Sequence, residues 1–228
     1  MMNKVAKIGL GSVLASSVLA SGMAMAEIPG LSANVGLMSQ YFFRGVQQVT
    51  TATASAGIDY DIGNGFSVGA WGADVEDGVE TDFYGSYSGE FNGFSYSIGA
   101  TGYYYTGQFD SKYEEINLSA GYGPISLAHS RGSWDDELGF GDFNSTIAGD
   151  QGDYTITTIS GEYNGFHALF GAWGDDAEGN WLEIGYGQEF SGFDVDVTYV
   201  SGDEQDTVNN WTTDTTSLIF SISKSFDL

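Results

Sequence analysis

The sequence predicts an all-β protein: a transmembrane up-and-down antiparallel β-barrel of about twelve strands. Three observations predict it. Apolar and polar residues alternate with period two through most of the chain, one tight-turn motif recurs along it, and short connections alternate with long ones. The 228 residues give room for one barrel or sandwich rather than two domains.

The first element is a leader. Lys4 and Lys7 precede the apolar run from Ile8 to Ala20, and Ala24-Met25-Ala26 supplies small residues suited to cleavage. Residues 1–26 therefore read as a signal peptide and 27–228 as the barrel domain. A membrane anchor would need roughly 20 apolar residues, and this run is shorter. Without Lys4 and Lys7, four basic residues face 31 acidic ones, a net charge of −27. Nucleic acid is excluded as a partner on that balance, because phosphate binding draws its energy from Lys and Arg. With no cysteine, an exported chain must hold together by sheet hydrogen bonds and packing.

The turns come next. Ile62-Gly63-Asn64-Gly65-Phe66, Phe91-Asn92-Gly93-Phe94, Tyr163-Asn164-Gly165-Phe166 and Phe190-Ser191-Gly192-Phe193 each set a tight turn between large apolar residues, and Tyr122-Gly123-Pro124-Ile125 is a variant. Asn-Gly and Ser-Gly supply the positive φ angles that two-residue hairpins require. Between the turns, Phe193, Val195, Val197 and Tyr199 oppose Asp194, Asp196 and Thr198, and Leu218, Phe220 and Ile222 oppose Ser217, Ser221 and Ser223. Phe94, Tyr96 and Ile98 against Ser95, Ser97 and Gly99, and Leu182, Ile184 and Tyr186 against Glu183, Gly185 and Gly187, repeat the split. One face is greasy and the other wet.

This spacing predicts strands at 33–44, 51–62, 66–76, 80–91, 94–106, 113–122, 125–131, 153–163, 166–175, 180–190, 193–201 and 214–226. All five tight turns fall at one end, while the polar connections 45–50, 77–79, 107–112, 132–152, 176–179 and 202–213 fall at the other. Turns toward the periplasm and loops toward the outside is the arrangement expected of an outer-membrane barrel. A soluble sandwich also alternates, but it would have Greek-key crossovers and no apolar ring beside the turns.

The stretch Ala33-Asn34-Val35-Gly36-Leu37-Met38-Ser39-Gln40-Tyr41-Phe42-Phe43-Arg44-Gly45-Val46-Gln47-Gln48 resembles the opening of the TorF-like porin family. The likeness runs on through Gly57-Ile58-Asp59-Tyr60 and Gly69-Ala70-Trp71-Gly72 to Ser221-Ile222-Ser223-Lys224-Ser225-Phe226. The resemblance implies a Gram-negative outer membrane, a porin role, and the barrel-assembly machinery as a partner during biogenesis. It brings no catalytic residue and no cofactor. Such barrels often end on an aromatic residue, whereas here Asp227-Leu228 follow Phe226.

Candidate lumen residues follow from the alternation. Asp82, Glu183, Asp194, Asp196, Asp59 and Glu115 read inward, with Asp61, Glu90 and Glu189 nearer the turns. A carboxylate-lined lumen concentrates cations and repels anions, whereas the plainer reading is that a lumen face need only be polar. Arg44 stands alone beside Tyr41, Phe42 and Phe43. It either tunes pore selectivity or, as the favoured reading, pairs with a carboxylate on a neighbouring strand at the barrel mouth. Acidic loops such as Asp135-Asp136-Glu137 and Asp175-Asp176 lack the spacing of a calcium loop and read as solvated. Metal and cofactor sites are therefore not expected.

An enzyme is the rival class. It would need a nucleophile, a base and an orienting group, and His129 and His167 are the only histidines. His129 and Ser130 point to opposite faces of a strand, so the pair does not activate a nucleophile. His167 reads inward as a hydrogen-bonding lumen residue. The expected function is passage of small hydrophilic solutes, preferentially cations, through a narrow or loop-plugged lumen in a lipid-embedded barrel; twelve strands lie between filled eight-stranded barrels and open porins. The alternative is a non-conducting structural or surface-binding barrel. The solute and the oligomeric state are not legible.

Overall fold

The computed structural model describes residues 28–76, 78–107, 109–135, 151–205 and 212–228; side chains of 203–205 and 212–215 are not part of that description. The expected signal peptide lies outside the described residues. Twelve strands close into one antiparallel barrel: β1 (Leu31–Met38), β4 (Thr53–Gly63), β5 (Phe66–Asp74), β6 (Val79–Phe91), β7 (Phe94–Tyr105), β8 (Lys112–Tyr122), β9 (Ile125–Asp135), β10 (Gln151–Tyr163), β11 (Phe166–Asp175), β12 (Gly179–Phe190), β13 (Phe193–Gln205) and β14 (Thr212–Asp227). Each strand pairs with its sequence neighbours, and β1 pairs with β14 to remove the last free edges. A separate hairpin joins β2 (Tyr41–Phe43) to β3 (Val46–Val49).

All five expected turns form where the motif stands. Asn64, Asn92, Asn164 and Ser191 have φ between 51° and 55°, and the glycine after each is also positive. Two positive φ values match the twist that lets two strands continue without splaying. Gly123 has φ 59° before Pro124, so positive φ at the first central position and a fixed negative φ at the second carry the variant turn. The described connections at the opposite end are longer, as expected; β9 and β10 extend further than predicted, to Asp135 and from Gln151, and the residues between them lie outside the described residues.

The face assignment also holds. Val197 pairs with Phe220 and Tyr199 with Leu218 on the outside, while Asp196 pairs with Ser221 inside. Phe91, Tyr163, Phe166 and Phe190 lie beside the turns and are 65–74% exposed. Single exposed apolar residues are ordinary, but a continuous belt of them is not stable against water. Here the belt circles the barrel and matches the lipid-facing wall of a membrane barrel, with aromatic pairs such as Phe94–Tyr122 (4.6 Å) and Phe166–Tyr186 (4.8 Å) forming the girdle.

The main departure from the sequence reading lies at residues 33–50. The expected strand 33–44 ends at Met38, and the chain folds back as the β2–β3 hairpin instead of forming a strand end and an open loop. Arg44 (φ 53°) and Gly45 (φ 85°) make its tip. A second departure concerns the inner face, which is wet only in part. Trp71, Tyr103, Tyr154, Ile156 and Trp181 point inward and are buried in the half of the lumen nearer the loops. Several of the described glycines belong to this design. Gly171 lies under the Trp181 ring, Gly152 under Trp134 and Gly132 under Tyr154, and a Cβ at any of these would collide with the ring above it. Rings laid flat over glycines restore the packing that a bare backbone lacks.

Candidate constriction in the barrel lumen

The hairpin crosses the lumen rather than capping it. On one side the Tyr41 hydroxyl donates to Glu80 Oε1 of β6 at 3.0 Å. At the tip, Arg44 Nη1 and Nη2 donate to the two carboxylate oxygens of Glu115 on β8 at 2.8 and 2.7 Å. Arg44 Nη2 also donates to the Tyr103 hydroxyl on β7 at 3.3 Å. On the far wall, Trp173 Nε1 of β11 donates to the Arg44 carbonyl at 3.1 Å. Gly45 presses against the Trp181 side chain of β12 and the backbone of Gly202 on β13. Only glycine fits here, because φ is positive and a Cβ would meet Trp181.

Arg44 and Glu115 form the electrostatic centre of this plug. Their side chains are 11% and 0% exposed. Tyr103 and Tyr154 hydroxyls also donate to Glu115, at 2.8 and 3.1 Å, and the guanidinium lies 4.6 Å from the Phe43 ring centroid. A planar fork on a carboxylate is the geometry in which a buried pair is best compensated. The favoured sequence reading, an ion pair at Arg44, is thus correct in kind but not in place. The partner sits across the lumen on β8, not on a strand adjacent to β1, because residues 39–50 leave the wall.

All of the expected inward acids point inward, but they fall into separate environments. Glu115 and Asp82 are buried at the hairpin. Glu183 accepts from Trp181 Nε1 at 2.9 Å on β12. Next to it on β13, Asp196 accepts from Thr198 at 2.6 Å and lies 3.7 Å from His167 Nδ1. Asp59, on β4, accepts from Tyr84 at 2.6 Å and from Asn34 at 3.4 Å. Asp194 pairs with Glu189 in register near the turns. Asp61 caps its own turn by accepting from the Gly63 amide at 2.9 Å. These carboxylates do not make one ring. They are spread over two levels, and those at the upper level are held by the aromatic packing.

Some lumen residues were missed. Glu80 shares the inward face of Asp82, two residues away, and is fully buried. Glu162 pairs in register with His167 on the same inward face. Strict parity would have found both, and it would also have placed Trp181 beside Glu183. The rejected nucleophile pair behaves as parity requires. His129 faces outward and meets Thr157 at 2.9 Å, while Ser130 donates inward to Asn117 at 2.6 Å. His167 is an inward hydrogen-bonding residue, with Nε2 3.0 Å from Thr198 Oγ1. Among the described residues, no three His, Asp or Glu side chains gather as a metal cage.

Fold and constriction define a twelve-stranded membrane-type barrel with a hairpin folded into its lumen. The chain belongs to the family described as bacterial protein of unknown function, Gcw_chp, matched over residues 24–226. Among solved structures it is similar to a KdgM porin, with 11% identity and a TM-score of 0.53, covering 86% of this chain and 99% of that one. It is also similar to a protein from a study of in-meso crystallization of membrane proteins, with 10% identity and a TM-score of 0.55, covering 87% and 83%. Pseudomonas aeruginosa OccK2 (OpdF) is similar at 15% identity and a TM-score of 0.43, covering 89% and 68%. No curated protein matches the chain. At these identities the likeness is one of fold.

Proposed function

We propose that the protein is an outer-membrane porin that passes small hydrophilic solutes, with a preference for cations, through a narrow acidic lumen. The observation that carries this reading is the composition of the inner wall below the hairpin. Ser67, Ser86, Ser95, Ser126 and Ser160 point inward there, together with Asp59, Glu90, Glu162, Glu189 and Asp194. Hydroxyls and carboxylates on the inside of a wall whose outside is apolar suit a water-filled passage. The negative charges would raise the local cation concentration. The resemblance of residues 33–48 to TorF-like porins, and the signal peptide expected at 1–26, support export to a Gram-negative outer membrane. A channel role leaves no step for a catalytic residue.

One observation favours the second reading, a closed barrel whose loops within 132–152 and 202–213 bind a partner. The hairpin fills the upper lumen, with Arg44 clamped to Glu115. The deciding experiment is conductance of the purified protein in a planar bilayer under a salt gradient. A reversal potential of cation-selective sign, weakening as salt shortens the Debye length from about 10 Å at 0.1 M to about 3 Å at 1 M, supports the porin. Insertion without current defeats it in favour of the closed barrel.

A further inference from the structure

We propose that Glu80 and Asp82, on β6 behind the hairpin, form a binding site for one monovalent cation, an alkali-metal ion or the primary ammonium group of a solute. Glu80 is 0% exposed and Asp82 is 8% exposed. One oxygen of Glu80 takes the Tyr41 hydroxyl. Its other oxygen, Oε2, and Asp82 Oδ1 are both shut off from solvent without any hydrogen-bond partner. Asp82 and Asp110 both lie within electrostatic reach of Glu80. The nearest cation, Arg44, is already held by both oxygens of Glu115 and by the Tyr103 hydroxyl. Arg44 lies within electrostatic reach of both carboxylates but makes no hydrogen bond to either. Two buried carboxylates with spare oxygens and no paired cation cost several kcal/mol each, so the site calls for a further positive charge from outside the chain.

The chemistry of the surroundings narrows the ligand. A divalent ion such as Ca²⁺ seeks six to eight oxygens, rich in carboxylate, and among the described residues no three acidic or histidine side chains converge. Two carboxylate oxygens beside a phenol suit a single charge. Trp71 and Ala73 are the register partners of Asp82 and Glu80, and with Tyr41 and Val75 they make a dry apolar rim. Such a rim strengthens any charge pair inside it. Because Tyr41 belongs to the hairpin, the bound cation would fasten this side of the plug as Arg44 fastens the other. The site stands on burial and missing partners alone; only its ammonium form rests on the porin reading.

The test is ²³Na NMR line broadening of the folded barrel in detergent at neutral pH. It compares the natural protein with Glu80→Gln, Asp82→Asn and the double variant, each confirmed as folded by heat-modifiable gel mobility. Glu162→Gln/Glu189→Gln removes the same charge from exposed positions near the turns and sets the baseline for diffuse counterions. Loss of most of the broadening in the double variant, and part of it in each single one, but not in the baseline variant, is the expected result. Displacement of Na⁺ by K⁺ alone identifies a metal-ion site, and displacement by methylammonium as well admits the amine. Equal broadening in the natural protein and in both double variants overturns the proposal, a shared proton then neutralising the pair. No current is measured, so a failed porin assay leaves this test intact.

Discussion

Removing Arg44 releases the hairpin if the ion pair with Glu115 is what holds it. Arg44→Ala would leave Glu115 fully buried with only the hydroxyls of Tyr103 and Tyr154 as donors. Breaking one side of a buried pair costs about 3–5 kcal/mol. Every 1.4 kcal/mol is a factor of ten, so the population with the hairpin lifted should rise roughly a hundredfold or more. The chain has no cysteine, so Val49→Cys, at a position 2% exposed on β3, provides a clean reporter. Maleimide should label that site slowly in the Val49→Cys background and at least about a hundredfold faster with Arg44→Ala added. Replacing both partners, as Arg44→Met/Glu115→Gln, removes the uncompensated charge and should return most of the protection. An unchanged labelling rate in Arg44→Ala would refute the clamp. Equal rates for the single and double changes would show that the charge of Glu115 is not what opens the plug.

The outer wall yields further tests. Phe220→Arg puts a charge on the lipid face and should cost roughly 2–4 kcal/mol of barrel stability in urea, whereas Ser221→Ala on the opposite face should be mild; equal damage would invert the faces. Thr198, on the same inner face, would not serve as that mild comparison, because it is buried and donates to Asp196. A protease tag within 136–150 should be cut on intact cells and one at Asn92-Gly93 should not; the reverse pattern would overturn the orientation. Gly165→Ala forces a side chain into positive φ and against the Gly187 carbonyl, so it should cost about 1–2 kcal/mol in the same urea assay. No measurable loss would mean that this turn relaxes freely.

The barrel was legible because each of its signals is local. Asn64-Gly65 or Asn92-Gly93 fixes its own turn, and alternation around Phe193 or Leu218 fixes its own faces. The hairpin was not legible for the opposite reason. Tyr41-Phe42-Phe43 reads as more strand, and what diverts it is a set of distant partners: Glu80, Glu115, Trp173 and Trp181. Gly45 after Arg44 was the available local hint of a tight turn, and both residues do adopt positive φ. For the lumen, parity assigned every named acid to the inside, but parity carries no depth. It could not tell that Glu115 and Asp82 lie buried in an aromatic layer while Asp194 stands lower, near the turns.

The seam that closes the barrel has a kinetic consequence. β1 and β14 pair from Ser32–Asp227 to Met38–Ser221, and the Leu228 amide donates to the Leu31 carbonyl at 3.0 Å. Every other neighbouring pair in the wall joins segments close in sequence, so hairpins can zip locally as they form. The seam must bring together the first and last strands of the wall, and its loop-closure entropy is repaid last. Until then β1 and β14 are open edges with unpaired amides and carbonyls, able to accept the wrong strand. The seam is also shorter than the β13–β14 ladder, which runs from Asp194–Ser223 to Gln205–Thr212. The last joint to form is thus also a weak one, and amide hydrogens of β1 should exchange before those of β13 when the folded barrel begins to open.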